Sequence, residues 1–287
     1  MGEEEHETGI VGVTRYISTN GLPELRELDL TFDEFSSKAQ AKDPQPGQLL
    51  MTALCAPGVA PKLQTLRLRG LQLAGPSSER LAEAIKRKAW PDLKELSMRD
   101  AGLRARDVEV LVQAIVEAGG CPGLTTLDLS HSSLSTTLGD EAAGALAAGL
   151  TAAACPSLTE LDLSCCGIQG PGIKALADAL LPRRLQRLAL GGEILIRDGQ
   201  VPGSGDEGVH ALVEALKAGA GIELTELNLV EVGMSKEGLE ALIEVIEDQG
   251  ACPNLSVLEC SPWRYGMEEK EEEFGSDEDE DDDNSPD

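Results

Sequence analysis

Aromatic side chains make up only 2% of this 287-residue chain. Phe, Tyr and Trp supply the largest buried surfaces of an ordinary globular core. The 41% of apolar residues must therefore pack through Leu, Ala, Val and Ile. Positive charge is scarce too: 24 Lys and Arg stand against 51 Asp and Glu, for a net charge of -27. A phosphate backbone demands a basic surface, and anionic lipid attracts polybasic segments. No nucleic acid and no membrane is therefore expected among the partners. Long-range fields steer opposite charges together, so proteins with basic patches are the expected ones.

Histidine occurs three times, as His6, His131 and His210, and the G-x-S-x-G nucleophile elbow does not occur. No Ser/His/Asp or Cys/His arrangement stands out, and the chain is read as no enzyme. Neither a cofactor nor a metal is expected. No stretch approaches the eighteen apolar residues of a membrane-spanning helix. The opening MGEEEHETGIVG has neither a basic n-region nor an apolar h-region, so a signal peptide is not expected. Seven Cys, an odd number, then read as free thiols in a reducing compartment, cytoplasmic or nuclear.

What the chain has in abundance is one phrase repeated. LPELRELDL, PKLQTLRL, PDLKELSM, PGLTTLDL, PSLTELDL, RRLQRLAL, ELTELNL and PNLSVLEC are variants of L-x-x-L-x-L. The leading leucines are Leu25, Leu63, Leu93, Leu124, Leu158, Leu185, Leu224 and Leu255. Three residues on stand Leu28, Leu66, Leu96, Leu127, Leu161, Leu188, Leu227 and Leu258. Between the phrases run apolar stripes at helical spacing. Examples are Val108, Leu111, Val112, Ile115; Ile173, Leu176, Ala177, Leu180; and Leu239, Leu242, Ile243, Ile246. Ser77, Asp140, Asp206 and Ser235 sit where N-caps are expected. The spacing predicts an α/β leucine-rich-repeat solenoid of about eight strand-loop-helix repeats, with a parallel sheet on its concave face.

Over residues 25–265 these phrases resemble the ribonuclease-inhibitor-like leucine-rich-repeat superfamily, which includes Ran GTPase-activating proteins and the repeat regions of intracellular immune receptors. The resemblance implies a horseshoe that binds protein partners on its concave face and strand-to-helix loops. It also carries a second reading, a Ran-type activator of a small GTPase. The turn asparagine of the Ran activators has no counterpart in LSHSSL or LSCCGI. The Asn or Cys of the general repeat, eight residues after the leading Leu, is matched only by Cys166.

The alternate strand positions should face the concavity. They place Arg67, Arg69 and Arg99 near the N-terminal third and Asp128, Glu160, Asp162 and Glu226 at the centre. This is a bipolar docking face that selects by charge complementarity. His131 and Cys165 fall at equivalent positions of adjacent repeats, with Cys166 next, but three ligands are too few for a Cys/His metal site. Gly203, Gly205 and Gly208 spell G-x-G-x-x-G without the strand that a phosphate loop requires.

Residues 1–24 are expected to form an irregular N-terminal cover, with Val13 and Ile17 as its apolar contacts. Residues 266–287 are expected to form a disordered acidic tail, because thirteen acids from Glu268 onward face only Lys270 and such a run buries too little to offset its ordering entropy. A monomer is the expected state.

Overall fold

A three-residue strand buries nothing alone, and a single amphipathic helix buries little; stacked copies of the pair share one core. The computed structural model describes residues 9–30, 45–132, 138–151, 154–180, 184–192 and 205–260. In it each phrase supplies one strand. These are β1 (Glu27–Asp29), β2 (Thr65–Arg67), β3 (Glu95–Ser97), β4 (Thr126–Asp128), β5 (Glu160–Asp162), β6 (Arg187–Ala189), β7 (Glu226–Leu229) and β8 (Val257–Cys260). They form one parallel eight-stranded sheet in sequence order. The helices are α1 (Ile10–Asn20), α2 (Gln45–Leu54), α3 (Pro76–Lys86), α4 (Ala105–Glu117), α5 (Gly139–Thr151), α6 (Gly170–Leu180), α7 (Asp206–Lys217) and α8 (Lys236–Ile243). Neighbouring helices pack roughly 8–10 Å apart, whereas strands lie about 4.8 Å apart. A stack of such units bends with the sheet on its inner side. The fold is a leucine-rich-repeat solenoid.

The leucine columns set the register. Leu28, Leu66, Leu96, Leu127, Leu161, Leu188, Leu227 and Leu258 lie opposite one another from strand to strand. From the second to the seventh repeat all three phrase positions are buried, while Leu25, Leu28, Leu255 and Leu258 at the ends are half-buried. The helical stripes close the other side of the core through residues such as Leu81, Leu111, Leu146, Leu176 and Leu212. The last stripe differs from its expectation: Ile243 is exposed and Val245 is buried instead. There α8 runs into a wider π-helical turn, Glu244–Asp248, whose altered pitch rotates the following side chains.

Each strand is lengthened by the turn after it. The residue seven beyond the leading Leu is left-handed in five repeats: Gly70, Asp100, His131, Cys165 and Glu231 have φ of 54–74°. This conformation aims the amide across the stack. Gly70 N–H donates to Arg99 O, Asp100 to Ser130 O, His131 to Ser164 O and Cys165 to Gly191 O, at 2.7–3.0 Å. His131 and Cys165 thus share a backbone task. The side chains eight residues on, Leu71, Ala101, Ser132, Cys166 and Val232, are buried beneath these turns.

The helix starts depart from expectation. Of the four expected caps only Ser235 caps its own helix, accepting from Gly238 N–H at 3.1 Å. Ser77 lies inside α3, buried, with its hydroxyl unpaired among the described residues. The aspartates serve neighbouring repeats instead. Asp140 in α5 accepts from the amides of Gln169 and Gly172 at the start of α6. Asp206 in α7 accepts from Ser235 N–H before α8. Asp107 in α4 accepts from Gly75 N–H and Ser78 Oγ at the start of α3. A helix's orphan amides need acceptors, and here an adjacent repeat, before or after, supplies them.

At the N-terminus the structure replaces the irregular cover with a regular helix. Helix α1 buries Ile10 and Ile17, half-buries Val13, and packs on α2. Residues 261–287, including Trp263, Tyr265 and the acidic tail, lie outside the described residues. No described helix is long and apolar enough to cross a membrane.

Candidate protein-interaction face

Because side chains alternate across a strand, the positions two and four beyond each leading Leu point away from the helices and into the concavity. Read across the sheet, the first row is Glu27, Thr65, Glu95, Thr126, Glu160, Arg187, Glu226, Val257. The second is Asp29, Arg67, Ser97, Asp128, Asp162, Ala189, Asn228, Glu259. From β3 to β8 these rows line a groove of about 410 Å³. Its lining includes the carboxylates of Glu95, Asp128, Glu160, Asp162, Glu226 and Glu259 and a single cation, Arg187. All four acids expected at the centre, Asp128, Glu160, Asp162 and Glu226, are in it.

The arginines do not form the matching basic pole. Arg67 lies between three carboxylates. Its Nε and Nη2 donate to Glu95 at 2.6 and 2.7 Å, its Nη1 donates to Glu27 at 2.6 Å, and Asp29 is 3.5 Å away. The paired hydrogen bonds that it donates to Glu95, and the one to Glu27, hold the guanidinium above its ordinary pKa against the opposing pull of burial. Arg99 turns to the rim, where it donates to Ser130 Oγ at 3.3 Å and contacts His131 Nε2 at 2.8 Å. Burial, then the Arg99 charge, push the imidazole below its usual range, so the neutral ring accepts at Nε2. Arg69 is exposed beside Asp100. The Asp100 carboxyl is pushed up by burial against the pull of His131, Arg69 and Arg99.

A second ion pair repeats the Arg67 pattern further along. Arg187 on β6 donates through Nε to Glu226 at 2.7 Å and through Nη1 to Glu160 at 3.4 Å. Asp128 and Asp162 are partly engaged in shaping the turns. Asp128 Oδ1 accepts from Ser130 N–H and Oγ, and Oδ2 accepts from Ser97 Oγ. Asp162 Oδ1 accepts from Ser164 N–H. Asn228 does the same for Val230 and also donates to Glu259. Glu95, Arg187, Asn228 and Glu259 were absent from the sequence-based site. The signal for them lay in the two rows, once these are read across strands rather than along the chain.

The surrounding chemistry is bland. Among the described residues no three His, Cys, Asp or Glu side chains group as a metal site. Cys55 and Cys166 are buried thiols pushed up to about 12, in both cases chiefly by burial. Gly205 donates to Gly233 O at 2.7 Å, and a Cβ on Gly208 would meet Ile173 at 2.6 Å. Close packing accounts for these two glycines, while Gly203 lies outside the described residues.

A solenoid with a charged, open inner sheet is of the protein-binding kind. A Leucine Rich repeat family model matches residues 154–177, the segment from Ala154 through β5 into α6. No curated protein matches the sequence. Among solved structures the tropomodulin C-terminal domain of Caenorhabditis elegans matches with 13% identity and a TM-score of 0.37, over 74% of this chain and 93% of that one.

Proposed function

We propose that the chain is a non-catalytic protein-protein interaction scaffold whose concave groove receives a basic segment of another protein. The observation that carries the reading is the groove itself, lined by six carboxylates and one guanidinium. An open sheet face lacks the sheltered, preorganised site that catalysis requires. A flat acidic channel instead favours an extended cationic chain, both by steering its approach and by excluding acidic competitors. The partner-facing residues are Asp128, Glu160, Asp162 and Glu226, with Glu95 and Glu259 added. Arg69 and Arg99 sit at the rim beyond the groove, and Arg67 acts as an internal clamp. The acidic run after Glu268 offers basic partners a second point of attachment. The full helix on most repeats supports placing the chain with the ribonuclease-inhibitor-like kind. Activation of a small GTPase has no feature of the face in its favour. Seven cysteines, none of them in a disulfide among the described residues, fit a reducing setting, cytoplasmic or nuclear.

The test uses a fluorescent peptide of alternating Arg and Gly, titrated against three proteins. These are the full chain, a form ending at Gly266, and a full chain carrying Glu160→Gln, Glu226→Gln and Glu259→Gln. Loss of three groove charges should weaken binding about tenfold or more, whereas removing the tail should leave most of it. Binding that follows the tail and ignores the groove would refute the reading.

A further inference from the structure

The first concave row alternates glutamate with something else: Glu27, Thr65, Glu95, Thr126, Glu160, Arg187, Glu226. Each even-numbered strand from β2 to β6 therefore lies in a slot between two glutamates. Two of these three slots hold one of the chain's own guanidinium groups. On β2, Arg67 joins Glu27 to Glu95; on β6, Arg187 joins Glu160 to Glu226. The middle slot, on β4, has the same glutamates at its sides, Glu95 and Glu160, but at its centre only the short side chain of Thr126. Asp128 and Asp162 add two carboxylates to its edge, and all five residues line the groove. Acceptors remain there: among the described residues, Glu160 Oε1 and Asp162 Oδ2 take no hydrogen bond.

We propose that this slot over Thr126 receives one arginine side chain from the protein partner, completing a row of three guanidinium groups across the sheet. The inference rests on the basic-segment reading of the groove and makes it specific. Glutamates two strands apart are separated by about 10 Å, and the Arg67 and Arg187 pairs show that one planar guanidinium bridges that gap. Its fork engages two carboxylates at once, while the ammonium of lysine is a compact point charge. The occupant is therefore arginine in preference to lysine. Residues three apart in an extended chain also repeat at about 10 Å. A segment crossing the strands can thus seat one arginine in the slot and, six residues on at about 20 Å, place another beyond the Arg187 pair near Glu259, four strands away.

The experiment compares two peptides of equal charge, one with three Gly-Gly-Arg units and one with three Gly-Gly-Lys units. Both are titrated by fluorescence anisotropy against the full chain, Thr126→Arg and Thr126→Gln. The natural chain should prefer the arginine peptide by about fivefold. Thr126→Arg fills the slot from within, so it should remove that preference and weaken the arginine peptide about tenfold; the neutral Thr126→Gln, which only crowds the slot, should weaken it by less and leave part of the preference. Without peptide, Thr126→Arg should melt about 2 °C above Thr126→Gln, as a new surface ion pair warrants. Equal binding of the two peptides, lost only when Glu160, Glu226 and Glu259 become Gln, overturns the slot and leaves the groove reading standing. A Thr126→Arg protein that melts below Thr126→Gln overturns it by a route independent of any partner. Failure of both peptides to bind the natural chain overturns the groove reading and the slot together.

Discussion

Replacing Asp107 by Ala removes a carboxylate that joins two repeats. Its Oδ1 accepts from Gly75 N–H and Ser78 Oγ, both at 2.7 Å, and its Oδ2 accepts from Arg104 N–H at 2.9 Å and Arg104 Nε at 3.1 Å. Asp107 itself is 2% exposed and Ser78 likewise. The Arg104 guanidinium is about half exposed, so water replaces that bond and the pair contributes less than about 0.5 kcal/mol. Ser78 Oγ keeps a second acceptor in Gly75 O at 2.7 Å, but the Gly75 amide is left without its acceptor, and a buried donor left unpaired costs about 1–3 kcal/mol. The expected loss is about 2 kcal/mol, a fall in melting temperature of about 4–8 °C for a domain of this size.

The pH dependence has a definite sign. Burial raises the Asp107 carboxyl, but the hydrogen bonds from Arg104, Gly75 and Ser78 outweigh it, and the pKa lies below its ordinary value of 3.8. A depressed acid contributes its stability above the unfolded pKa and loses it as pH falls through the folded one. The deficit of Asp107→Ala should therefore be full at pH 7 and shrink only below pH 3.8. Thermal and urea melts of the natural chain and the variant at pH 7, 5 and 3 make the check. A deficit under about 1 kcal/mol at pH 7, or one that shrinks already between pH 7 and 5, would refute the reasoning.

Glu231 is an exposed left-handed residue, so Glu231→Gly should raise stability by about 0.5–1 kcal/mol, read from the urea midpoint, and Glu231→Val should lower it. Leu161→Ala, buried at the centre of the leucine column, should cost about 2–5 kcal/mol in the same assay. Cys55 and Cys166, buried with thiols near 12, should resist iodoacetamide at pH 8 in the native chain and react on unfolding, as peptide mass spectrometry would show. Binding of the arginine peptide should weaken steeply as salt rises from 50 to 500 mM, because the Debye length shrinks from about 14 to 4 Å; salt-independent binding would contradict an electrostatic groove.

The register of the sheet was legible because it is written in one column. A leucine every repeat, three residues into each phrase, fixes which residues face each other across strands. From that four of the groove's six acids followed. The ion pairs did not, since Arg67 and its partners Glu27 and Glu95 are remote in sequence and were sorted by charge sign rather than by neighbourhood. The helix caps failed for a related reason. Asp140 and Asp206 were assigned to their own helices, as a cap within one helix would be, whereas their carboxylates serve the repeat beside them. His131 and Cys165 drew attention for their chemistry, yet what they share is a backbone angle, which no side-chain pattern discloses. Val245 was missed because a helical stripe presumes constant pitch, and the π turn over Glu244–Asp248 breaks that pitch.

The left-handed turns after the strands have a consequence for how this surface can change. Their work is done by an amide and a carbonyl, so the side chain is left out of it. Along one rim of the sheet the same geometric place holds Gly70, Asp100, His131, Cys165 and Glu231: nothing, an acid, an imidazole, a thiol and another acid. The array thus carries a line of interchangeable letters beside its groove. A residue there can be rewritten to suit a different partner at a cost of about 1–2 kcal/mol or less, provided it is not β-branched, with the leucine core and the ladder of strands left as they are.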